Sequence, residues 1–138
     1  MNVSKFGGRI PGVGGFINIA QPTGKVVFLG TFTAGGLRTT FEHGQLRICA
    51  EGKARKFTRR VEQITFSGPE ALRRGKEVLY ITERAVFRLT GSGLELIEIA
   101  PGIDLAESVL GQMDFTPAIA ADLRLMPASV FGSGAALI

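Results

Sequence analysis

The densest concentration of usable backbone chemistry is Pro11-Gly-Val-Gly-Gly-Phe16, followed by Ile17-Asn-Ile-Ala-Gln21. Successive N–H groups with no Cβ above them form a concave nest for an anion, and glycine lets a ligand approach the main chain closely. Nucleotide fingerprints do not fit. Gly12-x-Gly14 needs a third glycine where Ile17 stands, and no strand precedes it. Gly68 to Gly75-Lys76 has too long a spacer for a phosphate loop, and Glu77 occupies the place of its Ser or Thr. A plain structural turn and a ligand loop both suit the glycine cluster.

The stretch Glu51-Gly-Lys-Ala-Arg-Lys-Phe-Thr-Arg-Arg60, with Arg73, Arg74 and Lys76 beyond it, sets eight cations against Glu51, Glu62 and Glu70. It has the charge to meet a polyphosphate, but Phe57 alone is a poor stacking platform, and a solvated face is the ordinary reading of such a run. No nucleic-acid partner is expected. His43 falls in a turn and has no acid–base partner beyond Glu42, so it reads as a solvent-exposed histidine. Cys49 ends an apolar strand and reads as a buried, inert thiol. Glu83-Arg84, between two strands, reads as a turn ion pair. One histidine and one cysteine exclude a Cys/His zinc site and an internal disulfide. No Ser/His/Asp set or carboxylate pair can be assembled.

The elements that must position these groups are mostly strands. Lys25 to Gly30 is a continuous apolar run, the pattern of an interior strand covered on both faces. Leu37 to Phe41 and Gln45 to Cys49 flank Glu42-His43-Gly44 as a β-hairpin. Val61 to Phe66 alternates as a strand, and Pro69 to Gly75 has the punctuation of a short helix. Glu77–Thr82, Ala85–Thr90 and Leu94–Ile99 form a meander. Asp104 is placed to cap a helix over Leu105 to Leu110, and the remainder, with Pro117 and Pro127, reads as irregular. The expectation is an α/β fold with a mixed open sheet and few helices.

The chain has 138 residues, 45% hydrophobic and 20% charged, with a net charge of +4, which suits one domain and names no partner by charge. Its 19 glycines follow no Gly-X-Y period, so collagen is excluded. Neither a secretory signal nor a membrane span is evident, and a reducing, cytoplasmic setting is expected. Strands apolar on both faces, with few helices to cover them, imply missing layers and self-association, as in a homo-oligomer.

Asn2 to Gly7, Arg9 to Ile19, Val27 to Gly36, Val61 to Phe66, Val78 to Arg84 and Glu98 to Leu105 resemble, in that order, the C-terminal part of family I CoA-transferases of the propionate CoA-transferase type. The resemblance runs from residue 1 to Phe131, taken as one domain; 132–138 is set apart as a tail. It implies a CoA-transferase-like, β-subunit-like portion with a hairpin and meander insertion. In that family a glutamate in a Glu-x-Gly motif attacks an acyl-CoA, and CoA passes through a glutamyl-CoA thioester to a short-chain carboxylate. A Gly-x-Gly-Gly-Phe motif serves the oxyanion and CoA. Gly12, Gly14, Gly15 and Phe16 match that motif residue for residue.

The resemblance places the nucleophile upstream of Asn2, and no glutamate here has the matching context. Glu42-His43-Gly44 fits only as a string in a hairpin turn, and Glu51-Gly52 is a fragment of the pattern. The implied role is a segment that supplies the glycine turn, has no catalytic residue of its own, takes acyl-CoA as substrate without a bound cofactor or metal, and depends on an N-terminal portion or partner subunit. The alternative is a non-catalytic assembly or CoA-binding domain of the same fold.

Overall fold

β-Branched and aromatic residues dominate the runs that become strands, and glycine or proline punctuates most connections. The computed structural model describes residues 1–132. It contains β1 (Lys25–Leu29), β2 (Thr33–Ala34), β3 (Arg38–Glu42), β4 (Gln45–Ala50), β5 (Ala54–Arg55), β6 (Glu77–Ile81), β7 (Ala85–Thr90), β8 (Gly93–Ile99) and β9 (Ala118–Leu125), with helices α1 (Phe16–Ala20) and α2 (Gly68–Arg73). Of the tail, 133–138 lie outside the described residues.

The main sheet has the order β1-β6-β7-β8-β9. β1 and β6 are parallel, β6 to β8 form the antiparallel meander, and β9 returns parallel to β8. This is the mixed open sheet read from the sequence. The hairpin β3–β4 stands outside it as a separate ribbon, and β2–β5 forms another. His43 and Gly44, at φ 52° and 76°, make the hairpin's tight turn, the positive values matching the twist of the flanking strands. α2 begins where Ser67 Oγ accepts from Glu70 N at 3.3 Å, and its chain leaves through Gly75 at φ 68°.

Four expectations are corrected. β1 is an edge strand, hydrogen-bonded to β6 alone among the described strands, with Val27 and Leu29 exposed and Val26 and Phe28 half-buried. Its apolar run reports what it can pack against, not how many strands lie beside it. Val61 to Phe66 is irregular: Thr65 and Phe66 donate to the carbonyl of Met1 instead of joining a ladder. The region between Pro117 and Pro127 is strand β9, for which Pro117 stands just outside the ladder. Cys49 is exposed, because it alternates with the buried Leu46 and half-buried Ile48 and so lies on the outer face of β4.

Asp104 caps its helical segment as expected, with Oδ1 accepting from Glu107 N at 2.7 Å, but Leu105–Val109 winds as a π-helical turn. Three clusters hold the fold. Phe32, Phe87, Leu96 and Val109 pack on one face of the sheet, and Val78, Phe66 and Ala71 join Phe16 and Phe28 beside α1. On the opposite face Val86 is covered by Leu46, Met126 and Phe131, the last stacked on Phe41 with centroids 4.6 Å apart.

Candidate functional site

The glycine turn is tied down at its start and left open at its centre. Gly12 N donates to Ser4 O at 3.4 Å, and Phe16 N closes onto Val13 O at 3.1 Å. Gly12 and Gly14 have φ of 80° and 51°, which explains glycine at both positions. Gly12, Gly14 and Gly15 are exposed, and the N–H groups of Val13, Gly14 and Gly15 donate to no acceptor among the described residues. No atom lies within 4 Å of a Cβ built at Gly14, so its glycine answers to backbone conformation and not to a packed neighbour.

Phe16 anchors the turn, its ring 5.9 Å from that of Phe28 and 6.3 Å from that of Phe66. At the other end of α1, Lys76 Nζ gathers the carbonyls of Ala20, Gln21 and Thr23 beside the start of β6. α1 therefore runs antiparallel to β1, and Gly14, Gly15 and Phe16 lie toward the carboxyl end of the parallel β1–β6 pair. Ligands of open α/β sheets collect at that end.

A groove of about 420 Å³ opens at the same end of β1 and β6, lined by Leu29, Gly30, Ile81, Glu83, Met126 and Phe131 among others. The glycine turn is not part of its lining. Gly12, Gly14, Gly15 and Phe16 thus stay together as one loop, separate from this groove.

The sequence reading missed the principal ionic cluster. Arg84 forms the turn ion pair with Glu83, but it is fully buried and reaches well beyond that pair. Its guanidinium donates to Glu51 Oε2 at 2.7 Å and Oε1 at 3.0 Å, to Glu83 Oε1 at 2.6 Å and to the Ser108 carbonyl at 3.0 Å. It also lies 4.8 Å from the centroid of Phe32, whose N–H donates to Glu83 Oε2. Glu51 Oε1 accepts in addition from Thr33 Oγ1 and Gly52 N. Residues from four chain segments meet here, which no local motif announces.

Burial pushes the Glu51 carboxyl up, but the hydrogen bonds from Arg84, Thr33 and Gly52 N and the charge of Arg84 outweigh it and bring the value from 4.5 to about 2. With both oxygens engaged, Glu51 is a structural anion and not a free nucleophile. Because its folded value lies below the ordinary one, its stabilisation is complete above about pH 4.5 and is lost as pH falls toward 2. With the solvent screening that its partial exposure allows, the expected loss is roughly 1–2 kcal/mol. Urea titrations at pH 7 and pH 3 should show Glu51→Gln less stable than wild type at the first, with the gap roughly halved at the second. A constant gap would remove ionised Glu51 from the folding balance.

Much of the basic stretch is structural. Arg55 binds Asp114 at 3.3 Å and the Gly111 carbonyl at 2.9 Å, Arg59 holds the Asp114 carbonyl at 2.7 Å, and Lys56 holds that of Thr31 at 2.6 Å. Arg73 and Arg74 both pair with Glu70. His43 is exposed in its turn, and Glu42 accepts from Thr40 Oγ1 at 3.2 Å at the end of β3. Among the described residues no group of three His, Cys, Asp or Glu side chains is arranged for a metal, and no helix is long and apolar enough to cross a membrane.

No family model matches the chain. It is 53% identical over 131 residues to the acetate CoA-transferase YdiF of Escherichia coli (strain K12), covering 95% of this chain and 25% of that protein. It is 52% identical over 136 residues to the caffeate CoA-transferase of Acetobacterium woodii, covering 95% and 26%. The crystal structure of the acyl-CoA transferase YdiF of E. coli O157:H7, in a thioester complex with CoA, superposes with TM-score 0.92 at 53% identity, over 94% of this chain and 25% of that one. A variant of the decarboxylase AibA/AibB, 20% identical with TM-score 0.58 over 85% of this chain and 38% of that one, shares the fold. The chain spans about a quarter of the length of the CoA-transferases it matches.

Proposed function

We propose, starting from its likeness to a quarter of the acetate and caffeate CoA-transferases, that this chain is the C-terminal segment of an enzyme that moves CoA between a short-chain acyl-CoA and a carboxylate through a glutamyl-CoA thioester. Its contribution is the turn Gly12, Gly14, Gly15 and Phe16, and the nucleophilic glutamate comes from outside the segment. The observation that carries this reading is the match in both sequence and fold to an acyl-CoA transferase captured with CoA.

The local geometry supports it. Attack on a thioester places negative charge on the carbonyl oxygen, and donors that point at that oxygen beforehand stabilise it without reorganising. The unpaired N–H groups of Gly14 and Gly15 are such donors, and the open space over them leaves room for the pantetheine arm. Phe16, wedged on Phe28 and Phe66, keeps the loop in place. Glu51 and Glu42 take no covalent role: the first is locked to Arg84, and the second ends a surface hairpin.

Gly14→Val is the test, since a β-branched residue at φ 51° must move the turn. Calorimetric titration with CoA should show weak binding to the wild-type chain, loss of it in the variant, and no acyl exchange by either. Equal affinities would take the turn out of the site, and exchange by the wild-type chain would place a nucleophile within it.

A further inference from the structure

We infer that Lys56 binds the carboxylate of the acid that accepts CoA, an inference that rests on the functional reading above. Gly30 shows where its ammonium lies. A Cβ built at Gly30 would stand 3.0 Å from Lys56 Nζ, which donates to the Thr31 carbonyl at 2.6 Å. Gly30 N donates to Ile81 O at 3.1 Å, so the pleat of β1 continues through this residue. Alternate residues of a strand face the same way, and the Cβ position of Gly30 therefore lies on the side of Phe28. Phe28 packs on Phe16 of α1, with ring centroids 5.9 Å apart. Lys56 thus brings a cation to the face and the end of the β1–β6 pair where Gly14 and Gly15 present their N–H groups.

The lysine is held there without being used up. Its neighbours fix the segment: Arg55 pairs with Asp114 at 3.3 Å, the Phe57 ring lies 4.7 Å from that of Phe32, and the Phe57 carbonyl accepts from Asp114 N at 3.0 Å. An ammonium has three N–H donors, and Thr31 takes one. Lys56 is exposed and forms no salt bridge among the described residues, whereas Lys25, Arg55, Arg73, Arg74 and Arg84 each face a carboxylate. Gly30 is not among the glycines with positive φ, so the ammonium, rather than backbone conformation, is what a side chain there would meet.

The ligand follows from charge and surroundings. One ammonium matches the single charge of a carboxylate, while the several phosphate charges of CoA call for a converging group of cations. An acid held by Lys56 is kept on the face whose N–H donors suit a developing oxyanion, which is where its carboxyl must react. Apolar surface borders those donors. Ile19 Cδ1 lies 4.0 Å from the Cβ position of Gly15 and its side chain is 70% exposed, which gives a short alkyl chain a surface to lie on.

Steady-state exchange tests the inference in the E. coli acetate CoA-transferase with its matching quarter replaced by this chain. Lys56→Met should raise the KM for acetate about tenfold or more and leave that for the acyl-CoA within about twofold, and Lys56→Arg should restore most of the loss. Thermal unfolding of the same proteins is the structural control. Unchanged KM values beside a lowered midpoint would reduce Lys56 to a tie on Thr31 and overturn the inference. A raised KM for the acyl-CoA alone overturns it too, since it assigns the ammonium to a phosphate of CoA. In the chain alone, sodium acetate should shift the amide resonances of Gly14 and Gly15, and much less so in Lys56→Met, with sodium chloride at equal ionic strength as the blank. Equal shifts in the two proteins count against the inference, and this arm decides it if the graft does not fold. A folded chimera without exchange counts against the functional reading, and an active chimera indifferent to Lys56→Met counts against this one.

Discussion

Arg84→Met should destabilise the fold by about 3–5 kcal/mol, because it removes the cation between two carboxylates without removing either of them. Glu51 and Glu83 would be left facing each other around an apolar stem, beside a Phe32 ring that has lost its guanidinium. The pH dependence identifies the cause. Without the guanidinium, burial raises the Glu51 carboxyl, and the penalty lifts as it protonates on acidification. Urea unfolding should therefore show the variant's deficit shrinking between pH 7 and pH 4. A deficit below 1 kcal/mol at pH 7 would mean that the cluster behaves as an exposed ion pair.

Gly52→Ala should cost on the order of 3 kcal/mol through overpacking. A Cβ at Gly52 would stand 2.6 Å from Thr33 Oγ1, 2.7 Å from Ala34 O and 2.9 Å from Ala34 N. Two of these atoms belong to the backbone of β2, so no rotamer change relieves the contact, and the displacement would also disturb the Gly52 N–H bonds to Glu51 and Thr33. Gly91→Ala is the control, since nothing lies within 4 Å of its Cβ position and its φ is unremarkable for an L-residue. Thermal unfolding should separate the two clearly. Equal midpoints would mean that β2 can shift away without loss.

The resemblance to CoA-transferases was legible in unbroken blocks such as Arg9 to Ile19, and the sequence and fold comparisons agree with it. The role of the glycine turn was legible only as a motif match and a backbone possibility. What the fold adds is that Gly12 spends its N–H on Ser4 while those of Gly14 and Gly15 meet no acceptor among the described residues.

Local chemistry determined the hairpin turn at His43-Gly44, the capping of α2 by Ser67 and of the following turn by Asp104, and the meander β6–β8, because each depends on residues a few positions apart. Tertiary structure alone decided the rest. β9 finds its partner across the crossover from β8, so its Ala-rich sequence gave little sign of a strand. The place of β1 at an edge depends on what lies beside it, and composition does not record neighbours. Arg84 reads from sequence only as the partner of Glu83 in a turn. It becomes the centre of the fold only when Glu51, Glu83 and Phe32 close around it, since burying a charge is tolerable only where its partners arrive together.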